Sequence, residues 1–434
     1  MGIFRKFINK SLEVEIPTNS TRGMWLGAPE AEAETTNEKL ALHDVFEDFL
    51  NVIPQLENGK FIILGRKGCG KSAIGEYLQI LMQDEANIFT TLVDKSKIKL
   101  EKIIQKGYKP EVEDLHELLF KWVILTQILN MLQQNENAKR TGEFKHLQNF
   151  LKTNRGYVGI DKYDLSEVEI EKGFQIKIEY LRRFFSSFGR KLDFKGNQAE
   201  FYKLIPDLES CIADLLKNDC ENNYLLIFDD LDIGYKKNHH NINALVDLIR
   251  VAKYFNLDIF GKNNLDSRII ILLRDDIAKH MEYQPDTAKI FASYSTILKW
   301  YQDSFKVGED KILLKKFITK RIEKNFIRLN IPYDKSNVWD SFVDPNGYDK
   351  DKTSFKYVLD YTFYRPRDLL LFFLNIGEQD INLPISKSDI KKLSGPYANE
   401  TIREVKGELS SEFSENDIAG ALLVLSRHND KRPF

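Results

Sequence analysis

Three apolar runs, "FIIL" at 61–64, "YLLIF" at 224–228 and "IIILL" at 269–273, interrupt a chain whose other apolar residues mostly recur every three or four positions. An unbroken apolar run of strand length reads as a strand buried on both faces, as in a parallel sheet covered by helices. The helical pattern is clearest at Ile74, Tyr77, Leu78 and Leu81, which predict a helix over about 71–82. Leu115, Leu118, Leu119, Trp122, Leu125, Leu129 and Leu132 predict a long helix buried on one side, and Ala244, Leu245, Leu248, Val251 and Ala252 a third. Strands separated by such helices define an α/β fold with a parallel sheet. The stretch from about 100 to 222 is too long for a connection and carries helical patches, so it reads as a helical insertion of the core. After residue 299, "KILLKKFITKRIEKNF" and "SNVWDSFV" suit a helical or winged-helix lid. The expected organisation is a lead-in segment over 1–54, a core over 55–299 and a C-terminal domain over 300–434.

The first apolar run ends in candidate chemistry. Residues 62–74 read "IILGRKGCGKSAI", and Gly65, Gly70, Lys71 and Ser72 fit G-x-x-x-x-G-K-[ST] directly after a strand and before a helix. Glycines let the backbone curl its N–H groups around phosphate oxygens, and the helix that follows adds the positive end of its dipole. Gly65, Arg66, Lys67, Gly68, Cys69, Gly70, Lys71, Ser72 and Ala73 are therefore the candidate phosphate cradle. Lys71 would bridge the β- and γ-phosphates, and the Ser72 hydroxyl would ligate Mg²⁺.

The second run is followed by Asp229 and Asp230, at the carboxyl edge where open α/β sheets bind ligands. Asp229 is the candidate for the magnesium sphere and Asp230 for orienting or deprotonating the attacking water; alternatively the pair caps a helix. Asp232 is a third acidic ligand or a cap. The third run ends in Arg274, which either stabilises charge on a transferred phosphoryl group or pairs with Asp229, Asp230 or Asp275. In "YTFYRPRDLLLFFLNI", Arg365 and Arg367 flank a proline suited to the first turn of a helix. Cations there call for an anionic partner, either a bound γ-phosphate or carboxylates such as Asp360 and Asp368.

Composition narrows the classes. A chain of 434 residues, 42% hydrophobic and 29% charged, has material for two or three globular domains. Its net charge of −2 argues against a uniformly basic nucleic-acid binder. A local basic face is still open to it: residues 178–194 interleave Arg182, Arg183, Arg190 and Lys191 with Phe184, Phe185 and Phe188, a pattern for stacking single strands or for an ordinary half-buried helix. Three cysteines, at 69, 211 and 220, give no disulfide framework or zinc spacing, which suggests a reducing, cytoplasmic setting. The basic "MGIFRKFINKSL" start is a surface anchor or a docking helix, and no run reaches membrane-spanning length.

Together "GRKGCGKS", "FDDLD", "LLRDDI" and "RPRDLL" resemble bacterial P-loop ATPases of the STAND and KAP branch, especially the FunZ-like group, and "WLGAPEAEAE" at 25–34 resembles the start of that group. The resemblance spans most of 25–376. It implies an ASCE/AAA+-like core that binds ATP and Mg²⁺, with Lys71 and Ser72 as phosphate and metal contacts, Asp229 and Asp230 as the acids, and Arg274 and Arg367 as first and second sensors. Asp230 stands where a glutamate is usual in AAA+ enzymes, which fits a slow nucleotide switch better than a motor. The resemblance further implies a homo-oligomer or a protein partner controlled by ATP, and a role in bacterial anti-phage defence. An ATP-dependent nucleic-acid binder is the alternative. The absence of an [NT]-K-x-D signature leans the base preference toward adenine.

Overall fold

Each of the three apolar runs forms a strand. In the computed structural model, which describes residues 19–94, 115–135, 142–158, 174–218, 221–231, 239–302, 308–348, 352–410 and 413–428, the strands are β1 (Ile62–Gly65), β2 (Ile88–Val93), β3 (Gln175–Lys177), β4 (Gln198–Glu200), β5 (Asn223–Phe228), β6 (Arg268–Arg274) and β7 (Ser295–Ile297). Five of them make one sheet in the order β2, β5, β6, β1, β7, every pair parallel. β6, the latest in sequence of the central three, lies between β1 and β5. All five strands consequently end at one edge, and that edge gathers residues distant in sequence.

The sheet is covered on both faces, as its continuous apolar strands require. Helix Lys71–Asp84 lies against one face. A Cβ on its Gly75 would stand 3.1 Å from Leu272, 3.3 Å from Leu92 and 3.7 Å from Ile227, so glycine lets the helix approach these three strands closely. On the opposite face Val93, Leu226, Phe228, Ile269 and Ile271 join a large core with Leu119, Trp122, Ile128 and Leu129. Those four belong to helix Leu115–Leu132, which packs against helices Phe201–Asn218 and His239–Tyr254. Fifteen of its eighteen residues are buried, including His116, Thr126, Gln127 and Asn130. A helix buried on one side was the expectation. The insertion wraps what would have been its solvent face, and its few polar residues turn to carbonyls: Thr126 donates to Trp122 O and Asn130 to Val158 O.

Among its described residues the regular elements of the insertion are helices apart from the antiparallel β3 and β4, which the sequence does not announce. Each has three residues with one buried, Ile176 and Ala199, too few for an alternation to register. The 178–194 stretch contains helix Glu179–Ser187, with Leu181, Phe184 and Phe185 buried. Arg182 donates to the carbonyls of Phe194 and Gly196, Arg183 pairs with Glu179, and Arg190 pairs with Asp214.

The described residues separate into two compact units, one within 50–299 and a second made of 19–49 with those from 300 to 428. In the second unit, helices Leu313–Leu329, Val338–Phe342, Ser354–Leu359, Pro366–Phe372 and Lys387–Leu409 enclose a separate core around Ile322, Phe326, Trp339 and Phe373. Two isolated bridges, Ser20 with Asn382 and Val343 with Ile385, are its only β pairing among the described residues. The unit is helical there, without the paired strands of a winged helix. The segment from residue 19 is threaded into it. Asn325 both donates to and accepts from the Trp25 backbone, and Arg321 forms a buried two-pronged pair with Glu34 at 2.9 and 2.8 Å while also donating to Leu26 O. The N-terminal "MGIFRKFINKSL" stretch, Asp232, Cys220 and the final "NDKRPF" lie outside the described residues.

Candidate functional site

The turn after β1 owes its shape to its glycines. Gly68 and Gly70 have φ of +78° and +95°, a region where a side chain is strained. Open space surrounds the place of a Gly70 Cβ, so the requirement there is conformational. At Gly65 it is steric, because a Cβ would run into Cys69 Sγ and stand 3.2 Å from Leu298. Cys69 is buried beneath the turn; burial pushes its thiol pKa up, against the pull of Lys71. The Lys71 ammonium folds back over the turn and donates to Gly65 O at 2.9 Å and Arg66 O at 3.1 Å. Arg66 is exposed, and Lys67, Gly68, Gly70, Ser72 and Ala73 are half-buried.

Asp229 meets this turn from β5. Its carboxylate accepts from the Asp230 N–H at 2.8 Å and lies close enough to the Ser72 hydroxyl for that group to favour its ionised form. Only 5% exposed, it has its pKa pushed up to about 6 by burial, against the pull of those two groups. Asp230 leaves the strand through left-handed backbone, φ +54°. The next described helix is His239–Tyr254.

Arg274 ends β6 in register with Gly65, which brings it to the same edge. Its guanidinium makes a two-pronged contact with Asp276, Nε to Oδ1 at 3.0 Å and Nη2 to Oδ2 at 2.6 Å. Burial would raise the Asp276 carboxyl, but the Arg274 contacts outweigh it and hold the pKa below its ordinary value. The expected carboxylate partners were Asp229, Asp230 or Asp275; Asp276 is a partner because helix Asp275–Met281 follows β6 directly and its first turn carries Asp276 back toward the arginine.

Arg365 and Arg367 belong to the helical unit. Arg365 caps helix Pro366–Phe372 and grips Asp368, which is wholly buried and also accepts from the Phe363 and Arg365 N–H groups. Arg367 pairs at 2.9 Å with Glu404 of helix Lys387–Leu409. Of the carboxylates expected from sequence, Asp368 is a partner and Asp360 instead binds Lys352. Glu404 was not anticipated: it is 37 positions from Arg367 and only packing brings it near.

The donor set fits a magnesium nucleotide. A carboxylate beside a hydroxyl offers hard oxygen ligands, and Mg²⁺ commonly takes one or two protein groups together with substrate phosphates. Among the described residues no three His, Cys, Asp or Glu gather as a self-sufficient metal cage, and no helix is long and apolar enough to cross a membrane.

Fold and site thus define an α/β protein whose parallel sheet gathers a glycine-rich turn, an acidic pair and an arginine at one edge, joined to a helical region. Within that region residues 313–406 match the family model described as the FunZ-associated C-terminal helical domain. Searches of curated proteins and of solved structures found no match.

Proposed function

We propose that this chain is an ATP-binding and ATP-hydrolysing molecular switch with a P-loop NTPase core of the ASCE/AAA+-like kind. The observation that carries the reading is the meeting of Ser72 and Asp229: a residue after β1 and one after β5, 157 positions apart, interact beside the glycine-rich turn. The strand order supports it, since β6 lies between the strand bearing the turn and the strand bearing the acid, as in P-loop ATPases with an extra central strand.

The loop N–H groups and Lys71 hold the β- and γ-phosphates, with the ammonium exchanging its carbonyl contacts for phosphate oxygens. Ser72 and Asp229 would hold Mg²⁺, which would supply neutralisation of phosphate charge. Asp230 orients the attacking water. Arg274, drawn from Asp276, steadies charge on the departing phosphoryl group. Arg367 as a second sensor is carried by the family resemblance alone. Asp230 in place of glutamate favours slow turnover, hence a switch acting through a second copy or a protein partner. The FunZ-domain match and the resemblance lend support to a bacterial anti-phage role.

Lys71→Ala tests the reading. Calorimetric titration with Mg-ATP is expected to show binding to the natural protein and none to the variant, and equal affinities would overturn it.

A further inference from the structure

The roles assigned above leave one acid at the loaded edge of the sheet unused. β2 ends at Val93, and Asp94 is the next residue, half-buried. β2 and β5 pair with Leu92 beside Ile227 and Val93 beside Phe228, and the Asp229 N–H donates to Val93 O at 3.0 Å. One step further, Asp94 comes beside Asp229. Paired residues of neighbouring strands point to the same face, and faces alternate along each strand. Leu92 and Ile227 lie under Gly75 of helix Lys71–Asp84, whereas Val93 and Phe228 belong to the core on the other face. Thr90 agrees with this alternation, donating its hydroxyl to Leu78 O of the same helix. Continued by one residue, the alternation puts Asp94 on the face where Asp229 meets Ser72.

The geometry points to Asp94 as a third carboxylate of the site, the one that accepts the proton of the attacking water while Asp230 orients it; this rests on the nucleotide reading above. Asp229 is engaged with Ser72, and Asp230 turns away from the strand pairing through its left-handed backbone. Asp94 comes from the neighbouring strand at the same level and is half-buried. In the step, the water oxygen bonds to the γ-phosphorus. The bond from that phosphorus to the bridging oxygen breaks, and its electron pair stays on ADP. The water's proton passes to the Asp94 carboxylate and then to solvent.

The test is Asp94→Asn, which preserves shape and removes the proton acceptor. Four quantities are measured on the full chain: melting temperature, Mg-ATP turnover, Mg-ADP affinity, and trapping of Mg-ADP by fluoroaluminate, a mimic of the phosphoryl group with its attacking water. Loss of general-base help predicts turnover lower by ~100-fold or more and weak fluoroaluminate trapping, with Mg-ADP affinity within about threefold of the natural protein. A purely structural residue would shift melting temperature and Mg-ADP affinity together. If turnover is slow even in the natural protein, the trapping comparison decides. Undiminished turnover and trapping in the variant would overturn the inference and leave the nucleotide reading standing. Failure of the natural protein to bind Mg-ATP would overturn both.

Discussion

At Asp229 the geometry makes a chemical demand of the fold. A carboxyl whose folded pKa lies above its ordinary value binds its proton more tightly when folded, so its favourable contribution is present below the unfolded pKa and lost as pH rises through the folded one. Here the window runs from 3.8 to about 6. Above it the buried charge costs stability, on the order of 3 kcal/mol for a shift of about two pKa units. Asp229→Asn should therefore raise the melting temperature at pH 7.5 and lose that advantage by about pH 4, read by thermal denaturation across pH without added metal. Equal melting curves at pH 7.5 would show that the acid carries no such burden. Because Mg²⁺ requires the ionised form, Mg-dependent ATP binding should weaken as pH falls through about 6. The residues gathered at this edge were legible in sequence, since "GRKGCGKS" and "FDDLD" are short local patterns that each follow a strand. Partners were less so: Arg274 takes Asp276 and Arg367 takes Glu404, and neither choice follows from spacing alone.

Among elements, strands and helices agree with their patterns where the pattern is long. β6 and the helices Lys71–Asp84, Leu115–Leu132 and Leu313–Leu329 fall where unbroken apolar runs or a three-to-four period put them. β3 and β4 escape because three residues hold no period. Burial of Leu115–Leu132 on all sides escapes because it depends on what the insertion lays over it. The segment 25–34 illustrates the same point in the helical unit, for nothing local marks Glu34 as the partner of Arg321. Both are nearly inaccessible, at 2% and 4% side-chain exposure, so removing one strands the other's charge. Glu34→Ala should destabilise by about 3–5 kcal/mol. A paired Glu34→Met, Arg321→Met variant should lose less than that single change, as chemical denaturation would show. A single change costing under about 1 kcal/mol would mean the pair is solvated, as surface ion pairs are.

For the whole molecule, the switch proposal concerns copies or partners beyond a single chain. ATP turnover per chain should rise with protein concentration if neighbouring copies complete one another's sites, and Asp230→Asn should abolish it at every concentration. Constant turnover per chain would place the complete hydrolytic site in one copy. The sequence by itself determined the α/β class, the position of the glycine-rich turn, the acids after β5 and the helical character after residue 299, because glycine conformation, apolar runs and helical period act within a few residues. Only the tertiary structure decided that β6 lies between β1 and β5, that Ser72 meets Asp229, that Asp94 comes level with them, and that residues 19–49 pack into the unit formed by 300–428. Strand order and pairing register are set by how covered faces pack across hundreds of residues, and no local pattern encodes that choice.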